Sequence, residues 1–306
     1  MKKELFDLID NTIVLQYSLP STNGVIPKIK HSSLKDDCYK NNSHDNLVAI
    51  IYNAIIEYAF SAQDLTNTDY TPLLSRALTA KLRYDENASE SVNLKRGFFG
   101  EVLLDSILKV KYRTGAIISR GYFYDVLGKR ETAGFDSFHI VDIQNQPELW
   151  FGEVKFYVDI KPAIQSPASA KQKTGVMDKI EYVLSDEYLN THLVALSEKS
   201  GNFDTTNQAL KDIANSWNTK SIIDIQALID ANFKLVYPIF LIYDDKNKTY
   251  DNAVSEIVEY LNTISDKNIT NSLPATEIFF ILLPLSNAQQ VKKDVIQWIS
   301  DRKPLL

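Results

Sequence analysis

The sequence predicts an α/β fold in which a mixed sheet is flanked by helices. Three observations carry this. Continuous apolar runs of strand length alternate with helix-periodic segments in the C-terminal third, which points to a sheet covered on both faces. Two strand-like segments in the middle are joined by a turn of hairpin length. Gly and Pro number only 10 each in 306 residues, too few for a loop-rich chain. Hydrophobic residues at 44% against charged residues at 24% exclude a disordered or fibrous chain and supply a sizeable core.

In chain order, residues 12–18 read as a strand ended by Pro20 and Asn23-Gly24, and the polar stretch from His31 to Asp45 reads as a loop. Asp45-Asn46 caps a helix to about Phe60, and leucines at helical spacing give a second helix over 70–83. Residues 91–111 form a helix whose apolar stripe includes Phe98, Val102, Ile107 and Leu108. Strands follow at 115–124, 136–143 and 149–158, the last two joined through Gln144–Glu148 and paired antiparallel. A helix over 169–184 and a strand over 192–197 complete the middle third. Beyond residue 201, helices at 205–217, 222–231, 252–264 and 287–300 alternate with buried strands at 234–243 and 277–285. The organisation expected is an N-terminal segment 1–88 packing on a core 89–200, followed by an α/β extension 201–306.

Cys38 is the only cysteine, so no intrachain disulfide can form and Cys-based zinc or iron–sulfur sites are excluded. The longest apolar run, residues 278–285, is too short to span a bilayer, and acids interrupt the apolar N-terminus, so no signal peptide is expected and the chain reads as cytoplasmic. The net charge of −6 is unevenly spread. Residues 91–130 carry eight basic side chains against three acids, and residues 155–179 carry five lysines against two acids, leaving −14 on the remainder. A basic middle in an acidic chain is the pattern of a face that meets phosphates, although a solvated helix face gives the same count.

The chemistry concentrates in Glu101, Asp136, Glu153 and Lys155. In Trp150-Phe-Gly-Glu-Val-Lys-Phe-Tyr157, Glu153 and Lys155 are two apart and project to one face of a strand with Phe151 and Tyr157, while Trp150, Val154 and Phe156 line the other. A carboxylate and an ammonium inside so apolar a strand require partners. A turn centred near Gln146 puts Asp136 opposite about Phe156, within one or two rungs of Lys155. Glu101 supplies a further acid from the helix, where Gly97 and Gly100 signal a close backbone approach. Hard carboxylate oxygens of this kind suit Mg²⁺, and a neighbouring lysine can orient a water or neutralise charge.

An acid followed by a strand-borne Glu-x-Lys after a hairpin resembles the PD-(D/E)xK nuclease superfamily. The longer strings Arg96-Gly-Phe-Phe-Gly-Glu101, Gly134-Phe-Asp136 and Leu149-Trp-Phe-Gly-Glu-Val-Lys-Phe-Tyr157 resemble the HamA family, the nuclease subunit of the Hachiman anti-phage system, which works with a helicase partner, HamB. The resemblance implies a restriction-endonuclease-like core of helix, three strands, helix and strand with additional α/β elements. It implies Asp136 and Glu153 as metal ligands, Glu101 as the helix carboxylate, Lys155 as the catalytic lysine, Mg²⁺ or Mn²⁺ as cofactor, and DNA and a helicase subunit as partners. Asp136 is preceded by Gly-Phe rather than by Pro, a departure from the superfamily pattern.

A lone Glu-x-Lys is more often a surface ion pair, and Asp244-Asp-Lys246 is such a decoy: it ends a strand and runs into a turn, with no acid on a preceding hairpin strand. His31, Cys38 and His44 share one polar stretch, but their spacing matches no closed zinc site. His139 reads as a packing or hydrogen-bonding residue. No nucleophile elbow, Walker loop or dinucleotide-binding glycine motif occurs, so ATP-driven work requires a partner. The function expected is a metal-dependent DNA endonuclease or nickase acting beside a helicase in bacterial defence; the alternatives are a non-catalytic subunit that retains the fold and a free-standing restriction-type nuclease.

Overall fold

A computed structural model describes residues 1–19, 29–36, 43–62, 64–65, 69–82, 84–119, 124–125, 130–131, 135–142, 146–183, 185–217, 225–264 and 275–306. Asn23-Gly24, Cys38, Gly134 and Gln144-Asn145 lie outside them, as does the start of the helix expected at 222. The elements are α1 (Lys3–Thr12), β1 (Val14–Leu19), β2 (Ile29–Lys35), α2 (Asp45–Ala59), α3 (Tyr70–Arg76, continued by a π turn over Ala77–Lys81), α4 (Glu90–Asn93), α5 (Phe98–Lys111), β3 (Gly115–Ala116), β4 (Tyr124–Asp125), β5 (Arg130–Glu131), β6 (Ser137–Val141) and β7 (Glu148–Phe156). They continue with α6 (Lys161–Ile164), α7 (Val176–Val183), α8 (Asp186–Ser197), α9 (Gln208–Trp217), α10 (Gln226–Asp230), β8 (Lys234–Asp244), α11 (Tyr250–Ile264), β9 (Thr276–Leu285) and α12 (Ala288–Ser300).

Seven strands form one mixed sheet in the order β1-β2-β9-β8-β7-β6-β3. Its centre, β2-β9-β8-β7, is parallel, and both flanks are antiparallel. Strict alternation along β8 and β9 separates two cores. Val236, Phe240, Ile242, Phe279, Ile281 and Leu283 pack with α1, α2, α5 and α12, whereas Leu235, Tyr237, Ile239, Leu241, Phe280 and Leu282 pack with α8, α9 and α11. Each fully buried side chain of this size contributes about 1.5–3 kcal/mol, so the two faces hold the central strands firmly.

Four expectations are corrected. Residues 192–197 are not a strand but the last two turns of α8: the Ser185 hydroxyl accepts from the Tyr188 N–H at the N-cap, and Leu189, Leu193 and Leu196 recur on one fully buried face. The strand that follows the hairpin in the sheet is therefore β8, parallel to β7. The polar stretch after His31 is not wholly a loop, because residues 29–35 form β2. Its Ser32 and Ser33 are fully buried, with hydroxyls bonded to Tyr112 and Tyr250, which is why the segment lacks an apolar pattern. The helix expected over 169–184 is observed at Val176–Val183, and of the strand expected over 115–124 the described residues form β3 at Gly115–Ala116 and the start of β4 at Tyr124.

Candidate active site

The site is assembled where α5 crosses β7. In α5, eleven residues from Phe98 to Val110 are buried, Gly100 among them, which brings the helix backbone close to the sheet. A Cβ on Gly100 would lie 2.8 Å from Val154 Cγ2, so only glycine permits this approach without displacing β7. Glu101 then faces Tyr58 of α2. The fully buried Tyr58 donates its hydroxyl to Glu101 Oε2 at 2.7 Å, and the same hydroxyl lies 3.4 Å from the Asp136 carbonyl oxygen.

The β6–β7 register differs from expectation. Ser137 pairs with Gly152 and Val141 with Glu148, so the strands reverse earlier than a turn centred on Gln146 would have them. Extending the ladder one rung puts Asp136 beside Glu153 rather than Phe156. The Asp136 N–H donates to the Gly152 carbonyl at 2.8 Å, and its Oδ2 accepts from the Val154 N–H at 2.8 Å. Glu153 and Lys155 share one face, as expected, and the ammonium donates to Glu153 Oε1. Burial alone would lower the Lys155 pKa, but Glu153 and, beyond it, Asp136 raise it above the usual lysine value. The two side chains keep 21% and 32% of their surface open, so the pair faces a cleft rather than being sealed in the core.

All four residues line one cleft of about 810 Å³, and they share it with Arg96 and Lys292. On the face of the sheet that carries Phe151, burial raises the Tyr188 phenol to about 12, helped by the nearby charges of Glu153 and Asp136. Among the described residues, no three His, Cys, Asp or Glu side chains close on one point as a metal cluster. The carboxylates are held instead by Tyr58, the Val154 N–H and Lys155. Their hard oxygens still suit Mg²⁺, which takes one or two protein carboxylates and keeps several waters.

The other candidates resolve as structure. His44 is buried, with Nδ1 2.8 Å from Asp36 Oδ2 and Nε2 2.9 Å from the Ser286 hydroxyl. His139 is buried between the Thr114 hydroxyl at 2.7 Å and Asp105 Oδ1 at 3.0 Å, and Lys109 bonds the same carboxylate. Asp244-Asp-Lys246 ends β8 in a turn with positive φ at Lys246 and Asn247. Sequence reasoning missed Tyr58 and Lys292; both come from helices remote in the chain and carry no local motif.

The mixed seven-stranded sheet flanked by helices makes this an α/β protein, an architecture consistent with a nuclease-like core. The chain belongs to the HamA family, whose model matches residues 7–299. It is accordingly a component of the Hachiman defence system, which has more than one component. Comparison with curated proteins and with solved structures finds no match. No helix among the described residues is long and apolar enough to cross a membrane.

Proposed function

We propose that the chain is a metal-dependent DNA endonuclease or nickase, the effector of its defence system, working beside a helicase. The observation that carries this reading is the placement of Glu153 and Lys155 on one face of β7, one rung from Asp136, on an open cleft. Asp136 and Glu153 would hold Mg²⁺ or Mn²⁺, with Glu101 reaching it directly or through water. When bound, the ion supplies Lewis acidity and lowers the pKa of a coordinated water. The chain's own groups do the rest. The Val154 N–H fixes the orientation of Asp136, and Tyr58 fixes that of Glu101. The Lys155 ammonium, held on the same face of β7 as Glu153, would orient the attacking water or neutralise charge at the scissile phosphate. A helicase partner supplies the ATP-driven step, consistent with the absence of a phosphate-binding loop in the sequence.

The competing reading, a non-catalytic subunit that keeps the fold, draws on the pairing of Glu153 with Lys155 and the lack of a three-acid cluster among the described residues. Cleavage of supercoiled plasmid by the chain with its neighbouring helicase, with Mg²⁺ or Mn²⁺ and with EDTA, separates the two. Asp136→Asn, Glu153→Gln and Lys155→Ala should each abolish metal-dependent cutting while the wild-type complex cuts. Cutting by all three at the wild-type rate would refute the assigned site.

A further inference from the structure

Lys292 is the unexplained cation of the cleft. It lies on α12 one residue after the buried Val291, and its ammonium stands 4.4 Å from the centre of the Phe156 ring. Among the described residues it makes one hydrogen bond, to the Phe156 carbonyl at 2.7 Å, and no carboxylate lies within ion-pair distance. Two of its three N–H donors therefore remain for a ligand. A half-buried ammonium without a counter-ion is costly, and burial holds its pKa down at about 8. Arg96 presents a second open demand on the same cleft: its Nε is shielded from solvent yet has no hydrogen-bond partner among the described residues. Arg96 lies between α4 and α5, and α12 adjoins α4, where Lys293 Nζ is 3.9 Å from Glu90 Oε1. The two cations thus line the same cleft as Glu101, Asp136 and Glu153.

Such a cleft suits a polyanion that presents several phosphates, because one phosphate meets the cations while its neighbour reaches the acids. We propose that Lys292 and Arg96 are positioning residues that grip backbone phosphates next to the one that is cut. The proposal rests on the nuclease reading above and adds a binding element outside its motif. Lys292 acts as a point charge and Arg96 as a planar fork, so together they fix the strand's height and direction over Glu153. Base identity plays no part in the grip, which makes it independent of sequence.

The test measures binding of a fluorescein-labelled oligonucleotide, single-stranded or duplex, to the full chain by anisotropy. EDTA is present so that nothing is cut, and NaCl runs from about 20 to 200 mM. Lys292→Met keeps the apolar stem over Phe156 and removes the charge; Lys292→Arg keeps the charge. The slope of log K against log salt should flatten by about 0.7 for each phosphate of a single strand that is no longer neutralised. That flattening is expected in Lys292→Met and again in Arg96→Ala, and Lys292→Arg should restore the wild-type slope. The melting temperature of Lys292→Met should equal or exceed that of wild type, which separates a binding role from a structural one. Unchanged slopes in Lys292→Met and Arg96→Ala, with a wild type that binds, overturn the grip and leave the nuclease reading standing. A wild type that neither binds at low salt nor cuts with its helicase overturns the nuclease reading and the grip with it.

Discussion

Gly97→Ala separates the position of Glu101 from its presence. Gly97 caps α5 with φ −74° and ψ −23°, an ordinary right-handed conformation that alanine adopts without strain. The added Cβ would lie 2.6 Å from Glu101 Oε1, whereas such carbon–oxygen pairs settle at about 3.3 Å, so the carboxylate must move by about 0.7 Å. The obstacle is the far end of a flexible side chain, and the fold can yield there. At this unstrained backbone alanine in place of glycine gains about 0.4–1 kcal/mol by restricting the unfolded chain, and weakening the 2.7 Å bond from Tyr58 to a charged acceptor loses at most about 1.5–3 kcal/mol. The net destabilisation should stay below about 2.5 kcal/mol. Catalysis is less forgiving, since a displacement of about 1 Å costs on the order of a hundredfold. The expected result is a fall in kcat of roughly ten- to a hundredfold with a nearly unchanged KM, read from single-turnover cleavage alongside thermal melts. Cleavage within twofold of wild type, in a background where Glu101→Gln is inactive, would refute the claim that this carboxylate must be held in place.

Millimolar Mg²⁺ or Mn²⁺ should raise the melting temperature of the wild type, because the ion binds the native state alone; at a hundredfold excess over Kd the gain is about 2.7 kcal/mol. Asp136→Asn and Glu153→Gln should lose that rise, and a wild type indifferent to divalent ion would favour the non-catalytic reading. Burial lowers the His139 pKa below 6.5, so just below pH 6.5 the unfolded chain takes up a proton that the folded chain refuses. That stability is complete above 6.5 and falls as the pH drops through it, so the melting temperature should fall between about pH 7.5 and 5.5 and fall less in His139→Asn; equal pH dependence in both would refute the assignment.

What the sequence made legible was the part governed by local period. The alternation around Glu153 and Lys155 survives intact, with Trp150 and Phe156 in one core and Phe151 in the other. The glycines of α5 marked the close approach to Val154. What it hid depended on distant partners. The residues of α8 from His192 onward form an apolar run with no period of their own; the signal for a helix lies upstream, in the Ser185 cap and the leucines it phases. Ser32 and Ser33 are buried by virtue of Tyr112 and Tyr250, far along the chain. Tyr58 reaches Glu101, and Lys292 the cleft, only because α2 and α12 pack on the same face of the sheet.

The register correction also explains why the chemistry lies where it does. β6 begins at Ser137 opposite Gly152, so from Glu153 onward β7 pairs, among the described residues, with β8 alone, from Glu153–Ile239 to Phe156–Ile242. Among the described residues the hairpin side of β7 is an edge beyond that point, and an edge leaves backbone groups open to new partners. The Asp136 side chain turns back over this edge and accepts from the Val154 N–H at 2.8 Å, doing for one rung what the missing strand would have done. Glu153 and Lys155 flank that rung and, without a neighbouring strand to cover them, open onto the cleft. One carboxylate therefore ends the sheet and joins the site. Asp136→Asn, which keeps an acceptor for Val154, should preserve the strand end while removing the charge, whereas Asp136→Ala should also leave a backbone N–H unsatisfied, at about 1–3 kcal/mol. Loss of cutting in both variants, with loss of stability only in the second, is the pattern this dual role requires.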